Sequence, residues 1–152
     1  MPDNVVTLPP RALGEGGGPI DETRAAIAIH GDDLDPEEIT KMLGCEPTSA
    51  HRKGDKRTDM SAPALTGEWI LSVRGAAPVG PEELTSSLLL RLPTGDALWR
   101  TLADRFRVEL RFALHLSAYS RGFELSAPLT ERISALHASV GFDIYLDTED
   151  VA

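Results

Sequence analysis

From residue 108 to residue 116 an apolar side chain occupies every second position. Val108, Leu110, Phe112, Leu114 and Leu116 fall on one side, with Arg107, Glu109, Arg111, Ala113 and His115 on the other. Period two over that length fits a strand with one buried face, not a helix. Such a strand needs a layer over its apolar side, so the remaining chain must supply a sheet and its cover. Three more segments repeat the pattern. Residues 24–30 set Ala25, Ile27 and Ile29 against Arg24 and His30, and residues 68–74 turn Trp69, Leu71 and Val73 inward. Phe142, Ile144 and Leu146 alternate with Asp143, Tyr145 and Asp147.

Helix signals fill the intervals. Asp35, Pro36 and Glu38 read as an N-cap, a first-turn proline and the far member of a capping box, with Leu34 and Ile39 as its hydrophobic staple. Ile39, Met42 and Leu43 make the buried stripe, and Gly44 ends it. A loop of residues 45–66 follows. Gly80-Pro81 opens a second helix carrying Leu84, Leu88 and Leu92, and Pro93-Thr94-Gly95-Asp96 separates it from a third with Leu98, Trp99, Leu102 and Phe106. Ser126 caps a last helix with Leu129, Ile133, Leu136 and Val140, which Gly141 closes.

The expected order is therefore β-α-β-α-α-β-α-β. It predicts an α+β two-layer sandwich: a mostly antiparallel four-stranded sheet with helices on one face, ferredoxin-like with a helical insertion. With the strands numbered in that order, a 4-1-3-2 arrangement makes the first and third central. His30 and His115 are then placed to meet on the uncovered face, with Ala26, Ala28, Ile70 and Tyr145.

Length and charge bound the rest. A chain of 152 residues is one domain, expected over residues 24–147. A leader over 1–23, with eight Gly or Pro, reads as flexible, and 148–152 as an acidic tail. Gly14–Pro19 lacks the strand, helix and Gly-Lys-Ser/Thr ending of a phosphate loop. Fifteen basic against 24 acidic side chains give a net charge of −9, which argues against nucleic acid as a partner. The N-terminus has no signal-peptide pattern, no apolar run is of membrane-spanning length, and Cys45 is the single cysteine. A cytoplasmic protein is expected.

Gly31-Asp-Asp-Leu-Asp-Pro-Glu-Glu-Ile-Thr40, Leu43-Gly-Cys-Glu-Pro-Thr48 and His51-Arg-Lys-Gly-Asp55 together resemble the signature of a bacterial family, domain of unknown function 4279. Gly67-Glu-Trp69, Gly122-Phe-Glu-Leu-Ser126 and Phe142-Asp-Ile-Tyr145 fall where its later motifs would. The resemblance implies a small α+β domain. It brings no activity, cofactor or catalytic set to carry over.

Residues 51–57 are the strongest candidate site. His51, Arg52, Lys53, Lys56 and Arg57 surround Asp55, a local charge of +3. Arginine forks and lysine point charges suit an anionic small molecule or an acidic protein partner; the plainer alternative is a solvated loop offsetting Asp32 and Asp33. The second candidate is the open sheet face with His30, Ile70, Arg111, His115 and Tyr145, as a ligand or homodimer surface. The acidic run 32–38 lacks calcium-loop spacing, the four histidines lack zinc spacing, and no cofactor motif occurs. Cys45 follows the end of a helix, a position that raises a thiol pKa, and no catalytic constellation is present. The expected function is a non-catalytic binding or protein-interaction module. The alternatives are a small anionic-ligand binder or enzyme with a pocket between loop and sheet, and an immunity-like protein neutralising a toxin through its acidic surface.

Overall fold

The structure is a computed structural model that describes residues 18–146. In chain order its elements are β1 (Glu22–Gly31), α1 (Pro36–Leu43), β2 (Ser49–His51), β3 (Gly67–Ala76), α2 (Pro81–Leu90), α3 (Asp96–Arg105), β4 (Arg107–Leu116), α4 (Ala127–Ser134) and β5 (Ser139–Leu146). The expected mobility of the leader over 1–17, and the tail at 148–152, lie outside the described residues. Ile20 is buried and Gly18 bridges to Arg121, so the folded chain begins before residue 24.

The protein is α+β, with a mixed sheet in the order β2-β3-β1-β4-β5. β1 lies antiparallel between β3 and β4, β2 pairs antiparallel with β3, and β5 pairs parallel with β4. Five strands replace the expected four, because Ser49–His51 forms a short edge strand within the long loop. The expected central pair, β1 and β4, is found, but the flanking strands are exchanged. The 68–74 segment pairs with β1 and the C-terminal strand with β4. The second exchange has a plain cause: α4 returns the chain beside the strand it has just left, as a β-α-β crossover does.

Caps form largely where the sequence places them. Asp35 Oδ1 accepts from Glu37 N–H at 3.1 Å, and Gly44 sits at φ 69° as the left-handed stop. Glu38 does not turn back to the cap. Its carboxylate meets Arg105 Nη1 at 2.6 Å, tying α1 to α3. α4 stops at Ser134, and His137 takes φ 52°. Val140 and Gly141, expected in and after that helix, already belong to β5.

Ile27, Ile29, Trp69, Leu71, Leu110 and Phe112 form the helix-facing side of the sheet and are wholly buried against Ile39, Leu88, Leu102 and their neighbours. Two indoles are anchored: Trp69 Nε1 donates to Thr40 Oγ1 at 3.1 Å and Trp99 Nε1 to the Pro93 carbonyl at 2.8 Å. Gly31 and Gly67 pair across β1 and β3. A methyl group on Gly67 would sit 2.8 Å from the Gly31 carbonyl oxygen, and one on Gly31 2.5 Å from Phe106 Cδ1. Close approach of backbone and ring requires glycine at both positions. β5 is the exception to burial: Phe142 stacks on Phe112 at 5.1 Å, yet Val140, Phe142, Ile144 and Leu146 remain exposed.

Candidate functional site

Period two and the strand register together fix the opposite side of the sheet. Arg24, Ala26, Ala28 and His30 project from β1; Glu68, Ile70 and Arg74 from β3; Arg107, Glu109, Arg111, Ala113 and His115 from β4; Asp143 and Tyr145 from β5. His51, opposite Glu68, joins them from β2. All five residues expected on this face are on it. The face is a trough: Ala26 and Ala28, only 8% and 4% exposed, form its floor, and the longer side chains around them form its walls.

One end is an ionic cluster. His30 Nδ1 lies 3.2 Å from Glu68 Oε2, and its Nε2 lies 3.4 Å from Glu109 Oε2. Glu109 is 6% exposed and is also held by Arg107. A carboxylate this deep needs such partners, since its desolvation is otherwise uncompensated. Midway along the face, Arg111 Nη2 reaches both oxygens of Asp143, at 3.0 and 2.9 Å, which raises its pKa further. Its guanidinium lies across Gly141, where a methyl group would come within 2.8 Å of Nη1.

The other end is less balanced. His115 and Tyr145 stack at 4.8 Å between ring centres. Arg24 stands directly opposite Arg74, and among the described residues neither side chain has an ion-pair or hydrogen-bond partner. The expected meeting of His30 and His115 does not occur. β4 runs antiparallel to β1, setting His30 against Arg107 and His115 against Glu22, at opposite ends of the strand.

The basic loop divides. Arg52 Nη2 sits 2.7 Å from Asp35 Oδ1 and 3.9 Å from Glu37 Oε1, and Lys53 Nζ 3.3 Å from Asp32 Oδ2. Both cations therefore answer the acids at the start of α1. Asp55 closes the turn by accepting from Arg52 N–H at 2.8 Å. His51, Lys56 and Arg57 instead line a hollow of about 710 Å³ with Ser61, Thr66 and Glu68, and Glu68 connects it to the open face.

Cys45 is partly buried against the core, and burial pushes its thiol pKa up. His137, expected on the last helix, lies beyond its end and meets Asp96 Oδ1 at 2.7 Å. Among the described residues no group of three or more His, Cys, Asp or Glu side chains converges to hold a metal ion, and no helix is long and apolar enough to cross a membrane. The residues that sequence reasoning passed over are Arg24, Arg74, Glu68 and Asp143. Each shares the parity of an open-face neighbour, but their pairings emerge only from the register.

No curated protein and no solved structure matches the chain. A family model described as Domain of unknown function (DUF4279) matches residues 21–147, which spans every strand and helix of the fold, and the chain therefore belongs to that family.

Proposed function

We propose that this protein is a non-catalytic binding module that receives a ligand or partner on the open face of its sheet. The observation that carries the reading is the alanine-floored trough itself, a sheet face that no helix among the described residues covers and that charged side chains wall. Sites of this kind pair an apolar floor with a few placed polar groups. The basic loop contributes through Lys56 and Arg57, since Arg52 and Lys53 already hold acids of this chain.

The topology supports a ferredoxin-like reading of the first four strands. β1-α1-β2 straddles β3, and β3-α2-α3-β4 straddles β1, leaving α4 and β5 as an addition. A single, partly buried thiol supports a reducing compartment such as the cytoplasm. A second copy of the chain is the other candidate occupant of the face, and light scattering would then give twice 16.4 kDa.

Filling the trough tests the reading. Ala113→Trp places an indole on the open face at a half-buried position, while Leu90→Lys changes an exposed residue of α2. Screening small anions and host proteins against both variants should find partners lost by Ala113→Trp and retained by Leu90→Lys. Equal binding by both would overturn the proposal.

A specific observation favours a second reading. An imidazole held between two carboxylates, as His30 is, suits proton transfer. An enzyme using it would turn over its substrate in the wild type and lose that activity, while keeping binding, in His30→Gln.

A further inference from the structure

We propose that the Arg24–Arg74 pair, with His115 beside it, binds the phosphate of a small molecule that also carries a flat ring. The proposal rests on the open face being the binding surface and names what one end of it takes.

Residues directly opposite in an antiparallel pair hold their Cβ atoms about 5 Å apart, and like charges placed so are destabilising. Arg24 and Arg74 are such a pair. The other two arginines of the face are neutralised, Arg107 by Glu109 and Arg111 by Asp143. Glu22 shares the hollow, but it forms no ion pair with Arg24 or Arg74. Two adjacent guanidinium forks match a dianionic phosphate better than a single carboxylate, because each fork can take two oxygens.

The surroundings leave room for the remainder of the ligand. Ala113, in register with Arg24, and Ala76, two residues on from Arg74 on the same face, project only a methyl group each into a hollow of about 560 Å³. That volume falls within the range of small-molecule sites. The His115–Tyr145 stack forms one wall. A flat ring laid on the stack extends it in the offset arrangement that aromatic rings prefer.

Phenyl phosphate is the minimal probe with both features, and inorganic phosphate and phenyl sulfate each lack one. Calorimetry on the full chain should show phenyl phosphate binding about fivefold tighter than inorganic phosphate, the increment of one stacked ring. Arg24→Gln and Arg74→Gln should each weaken it ~10-fold, as loss of a charge-assisted hydrogen bond does. His115→Ala should reduce it to the level of inorganic phosphate. The same two arginine variants should be at least as stable as wild type at low salt, which separates lost binding from lost folding.

Undiminished affinity in the Arg24→Gln/Arg74→Gln double variant overturns the site, as do amide shifts confined to Lys56 and Arg57. Equal affinity for phenyl sulfate and phenyl phosphate overturns the dianion assignment. If phenyl phosphate does not bind while another ligand is lost on Ala113→Trp, the phosphate site fails and the open-face reading stands. If no ligand responds to Ala113→Trp, both fail.

Discussion

One carboxylate oxygen of Asp35 accepts from both the Arg52 guanidinium and the backbone of α1. The guanidinium Nη2 lies 2.7 Å from Asp35 Oδ1, the same atom that accepts the Glu37 N–H as the cap of α1. A residue of the basic loop is thereby fixed to the helix start, with Lys53 adding a second tie at Asp32. Arg52 thus already has a carboxylate of its own chain as a partner.

Asp35→Ala should lower stability by about 1 kcal/mol, the cost of an N-cap, and loosen the loop as well. Arg52→Gln removes only an exposed pair, with an expected effect of ~0.5 kcal/mol or less. Urea midpoints of the two variants check the order. A larger loss in Arg52→Gln would show the loop supporting the helix and not the reverse.

Acid should weaken the fold through identifiable carboxylates. The Ser117 backbone N–H, 2.6 Å from Asp21, holds that carboxyl below its ordinary 3.8. His137 does the same for Asp96, and Arg105 holds Glu38 below its ordinary 4.5. In each case the unfolded chain binds its proton more tightly, so the stabilisation is complete above the ordinary values and is lost as pH falls through the lowered ones. The urea midpoint should begin to fall below about pH 4.5. Asp21→Asn should flatten part of that fall, and an unchanged pH profile would remove Asp21 from the account.

Gly67→Ala should destabilise by about 1–3 kcal/mol, because the added methyl meets a backbone carbonyl and Leu34. Gly122→Ala, where nothing lies within 4 Å, should be close to neutral. Thermal melts of the two variants give the contrast directly.

The two stacked phenylalanines should differ in weight. Phe112 is fully buried, and its replacement by alanine is expected to cost ~3–5 kcal/mol. Phe142 is 44% exposed, so Phe142→Ala should cost about 1 kcal/mol. Comparable losses would mean that something outside the described residues covers β5.

Cys45 should react slowly. Its thiol pKa is raised by burial, leaving little thiolate at neutral pH. Alkylation by a neutral reagent at pH 7 should run several-fold slower than for a cysteine peptide in the same tube. A faster rate would contradict its placement against the core.

Strands and helix starts were legible because their signals are local. Alternation in β1, β3 and β4 needs no partner to be read, and Asp35, Pro36 and Gly44 act within one turn. Errors arose where distant groups decide. Leu136 and Val140 continue the helical spacing of α4, but the chain leaves it at Ser134 and turns through His137. β2 has three residues and no apolar alternation, so only its pairing with β3 reveals it. Of the site, membership of the open face followed from parity alone. The facing of Arg24 and Arg74, the His30 bridge and the separation of His30 from His115 all depend on register, which no single strand encodes.

Ala26 and Ala28 lie on the sheet's central strand, where any incoming molecule must settle against a methyl group or the peptide backbone itself. Depth at that spot is therefore governed by two side chains that hold no charge and make no bond. Exchanging either for valine or leucine would raise the floor of the trough while the charged side chains around it stayed in place. On the proposed reading, the size of these two side chains would set the depth of the face without any change in the charged groups around it.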